Sequence, residues 1–236
     1  LKSYGPPRPI QDKEFGEPTG GAITSALLVP ASGYVSDPQL ASHNLQIAAE
    51  NRGAAFLFNR KVASIPTPHD CVSGVLLETG ETINSNFVIN ATGPHSGIVN
   101  EMAGVRDQLK ITTKPLRHEV VYLPATARHF ENGGRFLVDT DTGVYQRPDG
   151  QDMLIGSADP ECDPHVIVDP DNYDSSFTEQ WTLQAHRAAQ RFPEMGISNT
   201  ARGTVGIYDV SDDWIPIYDK CDLPGFYLAI GTSGNQ

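Results

Sequence analysis

Two stretches constrain the fold of this chain more than anything else in it. Each is an apolar run that ends abruptly in small residues: Phe87-Val88-Ile89-Asn90-Ala91-Thr92-Gly93 and Phe226-Tyr227-Leu228-Ala229-Ile230-Gly231-Thr232-Ser233-Gly234. A short run of this kind reads as a strand buried on both faces, as in a parallel sheet. Small residues at the carboxyl end of such a strand let a ligand approach the backbone, and open α/β sheets bind their ligands at that edge. One such motif is ordinarily a tight turn with nothing bound. Two in one chain point to a cofactor.

The rest of the chain alternates between helical and extended patterns, with the 18 prolines and 22 glycines predicting many turns. Residues 22–30 read as a strand closed by Pro30. Asp37-Pro38 opens a helix with an N-cap side chain and a proline at the first helical position. Leu40, Ala41, Leu45, Ala48 and Ala49 follow at helical spacing, and Gly53 stops it. Residues 54–58 read as a strand leading to Lys61-Val62, and residues 72–83 as a hairpin turning at Gly80-Glu81. Residues 116–123, 135–139, 143–147, 153–157 and 202–210 read as strands of an antiparallel sheet. A helix over 176–195 interrupts them, with Trp181, Leu183, Ala185, Ala188, Ala189 and Phe192 as its apolar positions. The expected class is α/β (α+β): part of a three-layer, parallel-sheet domain interleaved with an antiparallel one.

Several function classes are disfavoured. A formal net charge of −12 repels phosphate backbones and argues against a nucleic-acid partner. No apolar run approaches the roughly 20 residues needed to span a bilayer. Cys71, Cys162 and Cys221 are widely spaced and odd in number. They show no disulfide framework or metal knuckle, so reduced thiols in the cytoplasm or another reducing intracellular compartment are expected. The loop from Asp159 to His165 gathers Cys162, His165 and carboxylates without zinc or calcium spacing, so no metal is expected and the loop reads as solvated and acidic. Neither a G-x-S-x-G elbow nor a phosphate-binding Walker loop is present.

In order, the chain carries Leu28-Val29-Pro30-Ala31-Ser32-Gly33-Tyr34-Val35-Ser36-Asp37-Pro38, the hairpin into Val88-Ile89-Asn90-Ala91-Thr92-Gly93-Pro94, Tyr145-Gln146-Arg147-Pro148-Asp149-Gly150 with Gly156, and Asp213-Trp214-Ile215-Pro216-Ile217 before the terminal glycine turn. This order resembles the D-amino acid oxidase, glycine oxidase and sarcosine oxidase family of flavoproteins. The resemblance covers residues 22–236 and implies an FAD-binding domain interleaved with an antiparallel substrate domain. On it, residues 1–36 are an irregular segment and substrate-domain entry strand, and 37–105 part of the FAD-binding domain. Residues 106–210 are the substrate-binding domain, and 211–236 the C-terminal part of the FAD-binding domain. The same likeness places Val62 on the adenine side of FAD, Ala91, Thr92 and Gly93 beside the ADP part, and Gly231, Thr232, Ser233 and Gly234 beside the isoalloxazine ring. It implies an oxidoreductase acting on a small-molecule amine or amino acid, taking a hydride from the carbon beside the nitrogen.

Two departures from the family pattern stand out. The G-x-G-x-x-G loop after a first strand is absent, the chain lacks a starting Met, and it stops at Asn235-Gln236. Both ends are therefore expected to be cut, and this stretch alone is expected to bind FAD weakly and to be inactive. Tyr208 stands where many members carry an arginine that pairs with the substrate carboxylate. Tyrosine donates a hydrogen bond but cannot neutralise that charge. Arg117 and Arg147 are alternatives for the task, or ordinary sheet arginines. Tyr208, Tyr145 and His118 are the candidate substrate-pocket residues, while His95 is read as contacting cofactor or closing the turn. The competing expectation is a catalytically silent, flavoprotein-like subunit or assembly factor that binds a partner protein. A hydroxy-acid substrate is a third reading.

Overall fold

The computed structural model describes residues 1–234. The end expected to be cut at Asn235-Gln236 lies outside the described residues. In chain order the elements are helix α1 (Pro38–Glu50), strands β1 (Val62–Ser64), β2 (Gly74–Leu77), β3 (Thr82–Asn84) and β4 (Val88–Asn90), helix α2 (Ser96–Met102), strands β5 (Thr113–Pro124), β6 (Leu137–Asp139), β7 (Val144–Asp149) and β8 (Asp152–Ser157), helix α3 (Glu179–Arg191), and strands β9 (Gly203–Ser211), β10 (Ile217–Lys220) and β11 (Phe226–Ile230). They form three sheets, ordered β1-β2-β3, β10-β11-β4 and β6-β7-β8-β5-β9. The chain divides into two compact units, one of Leu1–Leu45, Glu119–His165 and Asp174–Gly206, the other of Gln46–His118, Val166–Tyr173 and Ile207–Gln236.

The first unit is built where α3 covers an antiparallel sheet. Val121, Leu123, Val144, Met153 and Ile155 point from the strands into a core that Trp181, Ala185, Ala188 and Met195 close. The alternation of β7, buried at every second residue, is the period-2 signature of a sheet with one covered face. Thr178 caps α3, accepting from the Gln180 N–H, and its own hydroxyl donates to the buried Glu119 at 2.6 Å. The helix starts and ends inside the predicted 176–195 span.

An ion network fastens the N-terminal segment to α3. The Arg191 guanidinium meets Asp139 at 2.6 Å and Asp141 at 2.9 Å, and donates to the Lys2 carbonyl at 2.8 Å. Asp141 also accepts from the Ser3 hydroxyl and the Tyr4 and Gly5 N–H groups. Asp163, within the Asp159–His165 loop of the same unit, is buried. It pairs with Arg187 at 2.8 Å and accepts from Ser157 and Gln180. That loop is therefore anchored by a buried charge pair rather than wholly solvated.

The second unit packs Ile65, Val72, Ala103, Val105, Phe226, Leu228 and Ile230 into its own core. The hairpin β2–β3 forms as expected, with Val75 opposite Ile83. β10, which the sequence shows only as a motif before Ile217, pairs antiparallel with β11.

Three expectations are corrected. Residues 22–30 form no strand; Ala22 makes an isolated bridge to Lys2, and Leu27, Leu28 and Val29 are exposed. Residues 54–58 are likewise irregular, with Phe56, Leu57 and Phe58 exposed. β4 is not buried on both faces: Ile89 is 64% exposed, and among the described residues β4 stands at the edge of its sheet beside β11. In the first two cases the run is apolar, but among the described residues it pairs into no sheet.

The network around Arg191 gives two expected outcomes. Arg191→Met strands two carboxylates and should lower stability by about 3–5 kcal/mol, read by urea unfolding, with Asp139→Asn in the same chain recovering part of the loss. The second concerns acid. Burial raises the Asp141 carboxyl, but its hydrogen bonds from Tyr4, Ser3, Gly5 and Arg191 outweigh that and hold it below its ordinary value of 3.8. Its contribution is complete above the ordinary value and fades as pH falls through the lowered one. Amide shifts of Tyr4 and Gly5 should report that loss on acidification, and Asp141→Asn should abolish the dependence.

Candidate functional site

The site begins with a register. β4 and β11 run parallel, with Val88 opposite Phe226, Ile89 opposite Tyr227 and Asn90 opposite Leu228. Both strands therefore end at the same edge, and the turns Ala91-Thr92-Gly93 and Gly231-Thr232-Ser233-Gly234 emerge there together. In an α/β sheet this carboxyl edge is where ligands bind.

Each turn is held from beneath by a buried polar side chain. Asn90, 1% exposed, donates to the Ser96 carbonyl at 3.0 Å and to the Asn100 side-chain oxygen at 2.8 Å. Its own oxygen accepts from the Thr92 N–H at 3.2 Å and the Thr92 hydroxyl at 2.7 Å. The first turn is thus shaped by a side chain inside the strand that precedes it. Ala91 and Thr92 remain exposed. Gly93 has a φ of +56°, and nothing stands within 4 Å of where a Cβ would lie, so the backbone there is open to a ligand. α2, only seven residues long, follows directly.

The second turn rests on Asp209. One oxygen of this carboxyl accepts from the Gly231 N–H at 2.6 Å, and the Asp209 carbonyl accepts from the Ser233 N–H at 3.0 Å. Gly231, Ser233 and Gly234 all have positive φ. The Tyr208 ring lies against Gly234, 2.6 Å from the point a Cβ would occupy, so only glycine fits over it. His118 stacks on the other aromatic partner in this group, with ring centroids of His118 and Tyr208 4.4 Å apart. The Asp213 side chain accepts from Ser211 and from the Ile215 N–H, which makes its motif a turn leading into β10.

The remaining candidates have definite places. Val62 begins β1 and packs partly against the second core. His95, just past Gly93, meets Asp171 at 2.9 Å; that hydrogen bond lowers the Asp171 carboxyl from its ordinary value, against slight burial. Tyr145 belongs to the first unit. Its ring fills the space a side chain at Gly156 would need and tilts against Phe136. Arg147 pairs with Asp149 at 3.1 Å and lies 4.8 Å over the Tyr34 ring, the partners of an ordinary sheet arginine. Among the described residues no group of three or more His, Cys, Asp or Glu side chains is placed to hold a metal, and no helix is long and apolar enough to cross a membrane.

Residues 2–236 match the family DAO: FAD dependent oxidoreductase. The chain belongs to that family. Among solved structures, L-proline dehydrogenase from P.horikoshii is similar at 22% identity and a TM-score of 0.67, over 84% of this chain and 50% of that one. Glycine oxidase from Bacillus cereus ATCC 14579 is similar at 19% identity and a TM-score of 0.61, over 82% of this chain and 49% of that one. A second glycine oxidase, from Geobacillus kaustophilus, gives 20% and 0.59, over 84% and 49%. No curated protein matches. The shared fold is the mixed α/β arrangement of these DAO-family neighbours, and the chain spans about half the length of the solved structures it resembles.

FAD is the family's cofactor, and the site's own residues fit it. The open glycine at position 93 and the small, positive-φ turn at 231–234 offer backbone on one sheet edge to an extended ligand. Sequence reasoning found both turns but missed Asn90, Ser96, Asn100 and Asp209, which hold them. The available signal was an asparagine inside an otherwise apolar strand. Asn90→Ala removes that hold and leaves Asn100 and Thr92 without a partner. It should cost about 1–3 kcal/mol in urea unfolding, against a near-neutral Asn44→Ala on exposed α1.

Proposed function

We propose that this chain supplies the flavin edge and the substrate sheet of an enzyme that oxidises the C–N bond of an amine or amino acid to an imine. The observation that carries this reading is the parallel register of β4 and β11, which brings two small-residue turns to one edge. Bound there, FAD would supply the hydride acceptor. The chain's own task is orientation. The backbone of Ala91, Thr92 and Gly93 would lie beside the ADP part, with Val62 on the adenine side. Gly231, Thr232, Ser233 and Gly234 would lie beside the isoalloxazine ring, where peptide N–H groups favour negative charge at its pyrimidine end. Residues 37–105 and 211–236 then belong to the cofactor domain, and 1–36 and 106–210 to the substrate domain.

Holding the reacting carbon over the flavin is itself a large part of catalysis in such a site. Tyr208, His118 and Tyr145 are assigned to the substrate side. The names of the neighbouring L-proline dehydrogenase and glycine oxidases support an amino-acid-like substrate. Tyr208 in place of an arginine favours a second reading, a catalytically silent subunit on the same scaffold.

The two readings separate in one measurement. The protein that contains this chain, purified in full, should be yellow with a flavin spectrum that bleaches anaerobically when amines or amino acids are added. A colourless protein, or a flavin spectrum that no amine, amino acid or hydroxy acid bleaches, would favour the silent subunit.

A further inference from the structure

Asp209 is a buried carboxyl, 4% exposed, placed at the meeting point of three segments that are distant in sequence. It lies on β9, and its Oδ2 accepts from the Gly231 N–H at 2.6 Å. The Ser96 hydroxyl, at the first residue of α2, is 3.4 Å from the same oxygen. That hydroxyl donates at 2.6 Å to the Gly93 carbonyl, the glycine of the other turn. A continuous path therefore runs from Gly93 through Ser96 and Asp209 to Gly231.

The geometry also says how the path is made. A serine hydroxyl has one proton, and a carbonyl oxygen can only accept. The Ser96 hydroxyl therefore shares its proton unequally, with a short contact to Gly93 at 2.6 Å and a longer one to Asp209 at 3.4 Å. Burial pushes the Asp209 carboxyl up, opposed by hydrogen bonds from Gly231, Thr113 and Ser96. Its other oxygen, Oδ1, is buried and makes no well-formed hydrogen bond among the described residues.

We propose that Asp209 is a positioning residue for the cofactor: a strut that couples the Gly93 turn to the Gly231–Gly234 turn and sets their spacing. The proposal rests on the flavin reading above. It predicts that Asp209 acts through the two turns and not by touching substrate.

The test uses the full protein and reads three quantities: the FAD dissociation constant, the flavin midpoint potential and the melting temperature. Asp209→Ala removes the strut and should weaken FAD binding about tenfold or more, the loss of one well-made buried hydrogen bond, and shift the potential. Asp209→Asn, the uncharged isostere that still accepts from Gly231, should restore most of that binding. A lower melting temperature with unchanged FAD affinity and potential would show a merely structural residue and overturn the proposal. So would an asparagine variant as impaired as the alanine one. If Asp209→Ala does not fold, Ser96→Ala cuts the same path: weaker FAD binding supports the strut, and unchanged binding overturns it. A wild-type protein without flavin is recognised by its own spectrum before any variant is made, and it overturns the flavin reading and the strut together.

Discussion

A parallel pair of strands cannot be joined by a tight turn, so whatever lies between its strands must serve as the crossover. In this chain the pair is β4 and β11, and the connection between them contains β5 to β10, α2 and α3. The ladder is short, three residues on β4, yet it decides that the two small-residue turns share an edge. Everything attributed to the site depends on that register. An antiparallel pairing would place the turns at opposite edges, and neither Asp209 nor Asn90 would hold anything of use.

Short ladders need reinforcement, and here it comes from buried polar side chains rather than from more strand. Asn90, Asn100, Ser96 and Asp209 are each buried and sit below the turns. Such groups are expensive unless their hydrogen bonds are made, and the same expense makes them specific. An apolar residue at position 90 would pack acceptably and leave the Thr92 turn to wander. The first unit uses the opposite material, an apolar core under α3 with charge pairs at its margin, as befits a sheet whose faces need cover more than its edge needs shape.

What was legible in the sequence follows from this contrast. α1 was readable because its ends are encoded locally, by the Asp37 side chain that accepts from the Leu40 N–H and by Gly53; that it buries no residue did not matter to those signals. The hairpin β2–β3 and the strands β5, β7 and β8 were readable from alternation and turns. Residues 22–30 and 54–58 carried the same apolar signal and made no strand. A strand exists only with a partner, and β-propensity measures how a side chain fits a half-buried pleat rather than a preference of the isolated backbone. The polar struts were invisible for a related reason. Serine, asparagine and aspartate are common everywhere, and their importance here arises from contacts between segments far apart in the chain.

Tyr208 shows the same principle at the level of chemistry. In the family resemblance it stands where an arginine is expected, and from sequence alone the expectation was a lost carboxylate partner. In the fold it has gained two neighbours, the His118 ring stacked at 4.4 Å and Gly234 pressed against its edge. An arginine in this place would have to find room beside the same glycine. The ring props the turn that the Asp209 strut also holds. What the sequence shows only as a missing cation is, in the fold, a packed aromatic ring that supports a glycine turn.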